Sequence, residues 1–401
     1  MKFQEVLDAQ KRLDGVVHSY LKLERSTYFS NLTGAEVYFK CENRQKTGSF
    51  KVRGAYNKIA KLLETSKPAA VIAASAGNHA QGVAYAARQA GIPCTIVMPR
   101  SAPLAKVSAT QGYGANVVLY GDNFDEAWTH AKELEKQTGA TFIEPFNDLD
   151  VIAGQATVGL EILDECPDAD IIVVPAGGGG LLAGVASVVK HKNPKVKVVG
   201  VQAAKADALV QSFAKGKLCP LDRIYTIADG IAVKRPGDKT FELIKAHTDQ
   251  MVSVTDDEIA EAIIELIERT KQVVEPAGAT SLAAVTSGKI NIKGKKVVCI
   301  LSGGNIDIGF IHKIIERGLL KRGRHLSLSI LLQDIPGGLE KISGIIARAN
   351  SNITGVRYDR SVAGLQINDV LLHITCEVSG HNHSKHIINE LESNGFKVIK
   401  E

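Results

Sequence analysis

"DIIVVPAGGGGLLAG", residues 170 to 184, decides the fold. Its first half is a run of apolar, mostly β-branched residues without polar alternation, the mark of a strand covered on both faces. Gly177 to Gly180 then leave four consecutive backbone units bare, and "LLAG" opens an apolar helical stretch. Strand, glycine loop and helix in that order form an anion-facing edge of an open parallel sheet.

The same punctuation recurs along the chain. "AAVIAAS" (69–75), "CTIVMP" (94–99), "ANVVLYG" (115–121), "VKVVGVQ" (196–202) and "KKVVCILSGG" (295–304) read as further buried strands. Between them, "NHAQGVAYAARQAG" (78–91) and "FDEAWTHAKELEKQTG" (124–139) carry helical spacing and stop at glycine. "TDDE" (255–258) is a capping box for the helix "IAEAIIELIERTK" (259–271). The expectation is an α/β protein with helices on both faces of parallel sheets.

The pattern changes at "KRGRHL" (321–326). Beyond it, "HLSLSILLQ" alternates with period two, "LEKISGIIARAN" is helical, and "ITGVRYD" and "NDVLLHITCEV" are strands. "SKHIINELESNG" and "FKVIK" complete a β-α-β-β-α-β order, a ferredoxin-like unit. The expected division is a catalytic part over 1–320, with a smaller lobe over roughly 48–150 inserted in it, a linker at 321–325, and a separate unit over 326–401.

Composition narrows the function classes. The chain has 401 residues, 45% hydrophobic and 23% charged, enough for a large core. A net charge of +5 without a basic stripe argues against nucleic acid as a partner. No stretch of 18 apolar residues and no apolar signal core appear, so no membrane partner and a cytoplasmic location are expected. Cys41, Cys94, Cys166, Cys219, Cys299 and Cys376 form no CxxC pair and read as reduced thiols in a reducing compartment.

Three glycine-rich loops each follow a strand: "SAGNHAQG" (75–82), "AGGGGLLAG" (176–184) and "SGGNID" (302–307). No lysine follows the four glycines as a P-loop requires. Gly178, Gly180 and Ala183 satisfy a dinucleotide fingerprint, but the acidic residue it needs is replaced by Gln202. A phosphate monoester suits the loop better, and a plain strand-to-helix turn is the alternative. Ser75, Gly77 and Asn78 can present amides and a hydroxyl to a carboxylate, or can serve only as a helix cap. Lys51, in "TGSFKVRGA" (47–55), sits between Gly48 and Gly54. A phosphate cradle, a carboxylate cradle and such a lysine fit pyridoxal 5'-phosphate held as a Schiff base, with an amino acid as substrate. A solvated surface lysine is the alternative.

"TGSFKVRGA", "SAGNHAQGVA", "VVPAGGGGLLAG", "VVEPAGA" and "LSGGNID" together resemble the threonine dehydratase (threonine ammonia-lyase) family, over roughly residues 5 to 320. That family has the tryptophan-synthase-β fold, called fold type II. "LQDIPGGL" (332–339) makes the last unit resemble an ACT domain.

The resemblance implies that Lys51 is the Schiff-base lysine, with Phe50 packed beside the cofactor ring and Asn78 at its phenolic oxygen. It implies that Gly177, Gly178, Gly179, Gly180 and Leu181 hold the phosphate and that Ser302 faces the pyridine nitrogen. Ser75, Ala76, Gly77, Asn78 and His79 match the loop for the substrate carboxylate. Related racemases carry a serine where this chain has Ala76, so racemisation is expected to be minor. They also carry acidic metal ligands where this chain has Gln202 and Ala208, and no metal is assigned. The implied reaction is dehydration and deamination of L-threonine to 2-oxobutanoate and ammonia, with L-serine as secondary substrate. A serine dehydratase, a serine-racemase-like enzyme and a non-catalytic amino acid sensor are the alternatives. An amino acid effector such as isoleucine or valine at the ACT-like unit, and a homo-oligomer (dimer or tetramer), are expected from the same resemblance.

Overall fold

A computed structural model describes residues 1–19, 21–362 and 364–400. It divides into two compact units, Met1–Asp307 and Ile308–Glu401. The division falls before the helix Ile308–Lys321 instead of behind it, where the basic run at 321 suggested a linker.

The first unit holds two sheets. In chain order its strands are β1 (Glu24–Arg25), β2 (Glu36–Cys41), β3 (Val71–Ala74), β4 (Cys94–Met98) and β5 (Asn116–Leu119). They continue with β6 (Thr141–Phe142), β7 (Ile171–Pro175), β8 (Lys197–Ala203), β9 (Gln250–Val254) and β10 (Lys296–Leu301). The larger sheet runs β1-β2-β10-β7-β8-β9, parallel except for β1. The smaller runs β5-β4-β3-β6, all parallel.

These orders position the loops. From β7 the chain proceeds outward to β8 and β9, then returns to lay β10 on the other side of β7. From β3 it proceeds to β4 and β5, then returns with β6. Each reversal is a topological switch point, where loops at the carboxyl ends of adjacent strands diverge and leave a crevice. The loops after β7, β10 and β3 are the three glycine-rich segments.

The six strands read from apolar runs are all present. β2, β6 and β9 carried no such signal: β2 buries the charged Lys40, and β6 has two residues. The helix expected over 259–271 is α-helical only at Asp256–Glu265, after which Leu266–Thr270 widens into a π turn. Five cysteines are buried and Cys219 is half-buried, all as free thiols.

The second unit has β11 (His325–Gln333), β12 (Asn352–Asp359), β13 (Asp369–Glu377) and β14 (Lys397–Lys400), in the antiparallel order β12-β13-β11-β14. Cross-strand partners Leu326 and Cys376, Leu328 and Ile374, Ile330 and Leu372, and Leu332 and Val370 share one face. Ile342, Ile345 and Ile346 from helix Gly338–Arg348, and Ile387 and Leu391 from helix His381–Ser393, complete a core of its own. This is the ferredoxin-like order.

Candidate active site

Lys51 opens the helix Lys51–Thr65. The segment before it is zipped to the loop after β10. Phe50 N donates to Ser302 O at 3.1 Å, Gly304 N donates to Gly48 O at 2.8 Å, and Ser49 bridges Gly303. That pairing brings Phe50 and Ser302 together from opposite ends of the unit. The Lys51 amine points inward and donates to Pro145 O at 2.8 Å, 5.4 Å from the Phe50 ring centroid. Burial lowers its pKa to about 8, against a smaller opposing pull from Glu275.

The neighbouring residue, Phe146, reaches the glycine loop. A Cβ on Gly178 would lie 2.4 Å from the Phe146 ring, and Gly179 has a φ of +95°, so this loop admits no side chain at either position. The loop carbonyls are held from outside: Thr240 Oγ1 donates to Gly178 O at 2.7 Å and Gln202 Nε2 to Gly177 O at 3.4 Å. The amides of Gly177 to Leu181 have no acceptor among the described residues, although Gly178 to Leu181 are buried. Buried donors without acceptors are costly, and at the start of helix Gly180–Lys192 they form a site for an anion. Gln202, where a dinucleotide site needs a carboxylate, is fully buried and caps the helix Ala208–Lys215 through Leu209 N and Val210 N.

Replacing Gly178 with alanine is expected to weaken pyridoxal phosphate binding by roughly 10-fold or more, since forced overpacking costs about 1–3 kcal/mol. Fluorescence titration of the apoprotein measures it. An unchanged affinity would mean that the loop does not hold the phosphate.

The loop after β3 leads into helix Asn78–Ala90. Ser75 Oγ accepts from Gly77 N at 3.2 Å, and the amides of Asn78 and His79 have no acceptor among the described residues. His79 turns away: its Nε2 meets Ile143 O at 2.9 Å, and burial, reinforced by Lys51, pushes its pKa down to about 3. It is neutral, and its Nδ1 is buried without a hydrogen-bond partner among the described residues.

Asn78 lies in a polar chain that sequence reading missed. Its Nδ2 donates to Glu275 Oε1 at 2.7 Å, and its Oδ1 accepts from Asn305 Nδ2 at 2.6 Å. Glu275 lies in "VVEPAGA", a stretch that contributed to the resemblance without a role for the carboxylate.

The donor set fits pyridoxal phosphate. Five amides without protein acceptors can take an anion, burial lowers an enclosed amine to about 8, and the buried Ser302 has a hydroxyl with no protein partner among the described residues. Two parallel sheets with glycine loops at their switch points and a lysine between them define a two-lobed α/β enzyme that works through an aldehyde cofactor.

Comparisons with known proteins agree. The family model described as "Pyridoxal-phosphate dependent enzyme" matches residues 19–303. The chain is 47% identical over 395 residues to an L-threonine ammonia-lyase of Thermotoga maritima, covering 98% of both. The structure of a processed threonine deaminase isoform 2 of Solanum lycopersicum superposes with a TM-score of 0.76 at 39% identity, over 79% of this chain and 88% of that one. A maize serine racemase superposes with a TM-score of 0.75 at 36% identity, over 80% and 98%. The chain belongs to the family of pyridoxal-phosphate-dependent enzymes, in the fold type II architecture, and pyridoxal phosphate is its cofactor.

Proposed function

We propose that this enzyme dehydrates and deaminates L-threonine to 2-oxobutanoate and ammonia, with L-serine as a slower substrate. The observation that carries this reading is the inward-pointing Lys51 amine, held by Pro145 O and lowered to about 8 by burial. The threonine ammonia-lyase named above, matched over nearly its whole length, supports the choice of substrate.

Bound pyridoxal phosphate supplies an electron sink for the charge left on the substrate's α-carbon. With the cofactor bound, Lys51 would hold its aldehyde, and the same Nζ would serve as the base for the substrate's α-proton. Gly177 to Leu181 would hold the phosphate by their amides. Ser75 to His79 would receive the substrate carboxylate, Asn78 would hold the phenolic oxygen and Phe50 would lie against the ring. Ser302 would present a hydroxyl to the ring nitrogen, and since a hydroxyl would not keep that nitrogen protonated as a carboxylate would, the site would favour loss of the β-hydroxyl over reactions that need long-lived negative charge.

The base must be neutral to act. With the amine at about 8, the rate of α-proton removal rises about tenfold per unit below that pH and levels above it. A kcat profile falling from pH 6 to 9 would contradict this.

The maize serine racemase neighbour keeps racemisation as the second reading. The Ala76 methyl cannot exchange a proton on the opposite face, so D-serine formation should lag far behind elimination. We further propose that residues 326–401, within the unit Ile308–Glu401, form an ACT-like module that takes an amino acid effector and that the enzyme is a homo-oligomer. Calorimetric titration of the full chain with isoleucine and valine tests the first point, and absence of heat with both would leave the module a structural role.

Borohydride reduction of the loaded enzyme, followed by peptide mapping, should place the label on Lys51, and threonine should yield a 2-oxo acid. A label elsewhere, or no product, sinks the proposal.

A further inference from the structure

Glu275 is a buried carboxylate that the chemistry above leaves unused. It stands at the N-cap of helix Pro276–Thr286, yet its side chain does not cap that helix. Its backbone N donates to Gly303 O at 3.0 Å, which ties it to the loop after β10, and its Oε1 accepts from Asn78 Nδ2.

The polarity of this chain is fixed from both ends. Thr47 O can only accept, so Asn305 must present Nδ2 to it, at 2.8 Å. The same Nδ2 donates to Asn78, which must therefore present Oδ1 there and turn Nδ2 to Glu275. Asn78 is left with a single uncommitted donor, the second Nδ2 hydrogen.

The geometry points to Glu275 as a positioning residue that holds the Asn78 amide, so that its remaining hydrogen is given to the phenolic oxygen of pyridoxal phosphate. The inference rests on the role proposed above for Asn78. Without the carboxylate, Asn78 is anchored from one side only, and the orientation that gives a hydrogen to the cofactor is no longer enforced.

Burial, with Asp229 adding to it, pushes the Glu275 carboxyl up to about 7, while the bond from Asn78 and the charge of Lys106 pull the other way. Asp229 stands on the turn Asp229–Ile231 and Lys106 on helix Leu104–Gly112, paired at 2.6 Å; Lys51 interacts with Glu275 through its charge, and the Asn305 backbone hydrogen-bonds the carboxyl. Losing the carboxylate charge changes the pull on Asn78, and with it the hydrogen bond offered to the cofactor.

The test compares the loaded wild type with Glu275→Gln and Glu275→Ala by visible absorption of the bound cofactor between pH 6 and 9. Wild type should show a step near pH 7. Glu275→Gln keeps an acceptor for Asn78 and should retain the wild-type band while losing the step. Glu275→Ala loses the anchor and should raise the dissociation constant for pyridoxal phosphate by about 10-fold, a typical loss for an unpaired buried partner. A wild-type spectrum and affinity in Glu275→Ala, or a surviving step in Glu275→Gln, overturns the inference. If Glu275→Ala does not fold, the Glu275→Gln titration decides alone. Reductive labelling of Lys51 in the wild type keeps the two readings apart: label present with unaltered variants defeats only this inference, whereas label absent defeats the proposed function.

Discussion

Changing Lys51 to alanine lowers threonine turnover by at least about 10,000-fold, the upper end of what one positioned general base contributes. No other group named in the site can replace it. His79, with its pKa pushed down to about 3 by burial, is too weak a base, and Glu275 is engaged by Asn78. The variant should still fold, because Lys51 is the first residue of its helix and its one hydrogen bond, to Pro145 O, is accepted by a backbone carbonyl. Unreacted protein in the borohydride trap, with far-ultraviolet dichroism unchanged, is the combined result to expect. Turnover within about 100-fold of wild type would mean that the base lies elsewhere.

The second large effect is on stability. Arg53, two residues beyond Lys51, is fully buried. Its guanidinium donates to both oxygens of Glu42 at 2.7 and 2.8 Å, to both of Glu161 at 2.6 and 2.8 Å, and to Thr157 Oγ1 at 3.1 Å. Lys40, also fully buried, pairs with Glu161 at 2.8 Å. Burial alone would lower the Arg53 pKa, but Glu42 and Glu161 hold it above its usual value. Arg53→Ala strands the fully buried Glu42 carboxylate, and breaking such a pair from one side costs about 3–5 kcal/mol. A denaturant midpoint should fall accordingly, and Arg53→Lys should recover only part of it, since an ammonium cannot fork to two carboxylates. A loss below about 1 kcal/mol would show that water or a rearranged Lys40 replaces the guanidinium.

Parts of this were legible beforehand for a local reason. A buried parallel strand writes itself as an apolar run, and a close backbone approach writes itself as glycine, so β7 and Gly177 to Gly180 could be read from adjacent residues. The six strands found that way are those whose signal lies within one short window. β2 was not, because Lys40 interrupts its run and is tolerated through Leu21 O and through Glu161 and Glu165, far along the chain on helix Leu149–Glu165. Glu275 escaped notice for the same reason: its partner, Asn78, lies 197 residues earlier.

The amino-acid sequence by itself determined the kinds of chemistry available: an amine between two glycines, bare amides and a hydroxyl on strand-to-helix loops, and a second unit with alternating strands. Those follow from short-range periodicity and from residue types that only a few conformations accept. The tertiary structure decided which of them meet. The reversals at β7 and β3 gather the loops, the pairing of Gly48–Phe50 with Ser302–Gly304 brings Phe50 and Ser302 together, and Pro145 and Phe146 join Lys51 to the glycine loop. A hydrogen bond across two hundred residues, or a pKa lowered by burial, depends on packing that no local window contains.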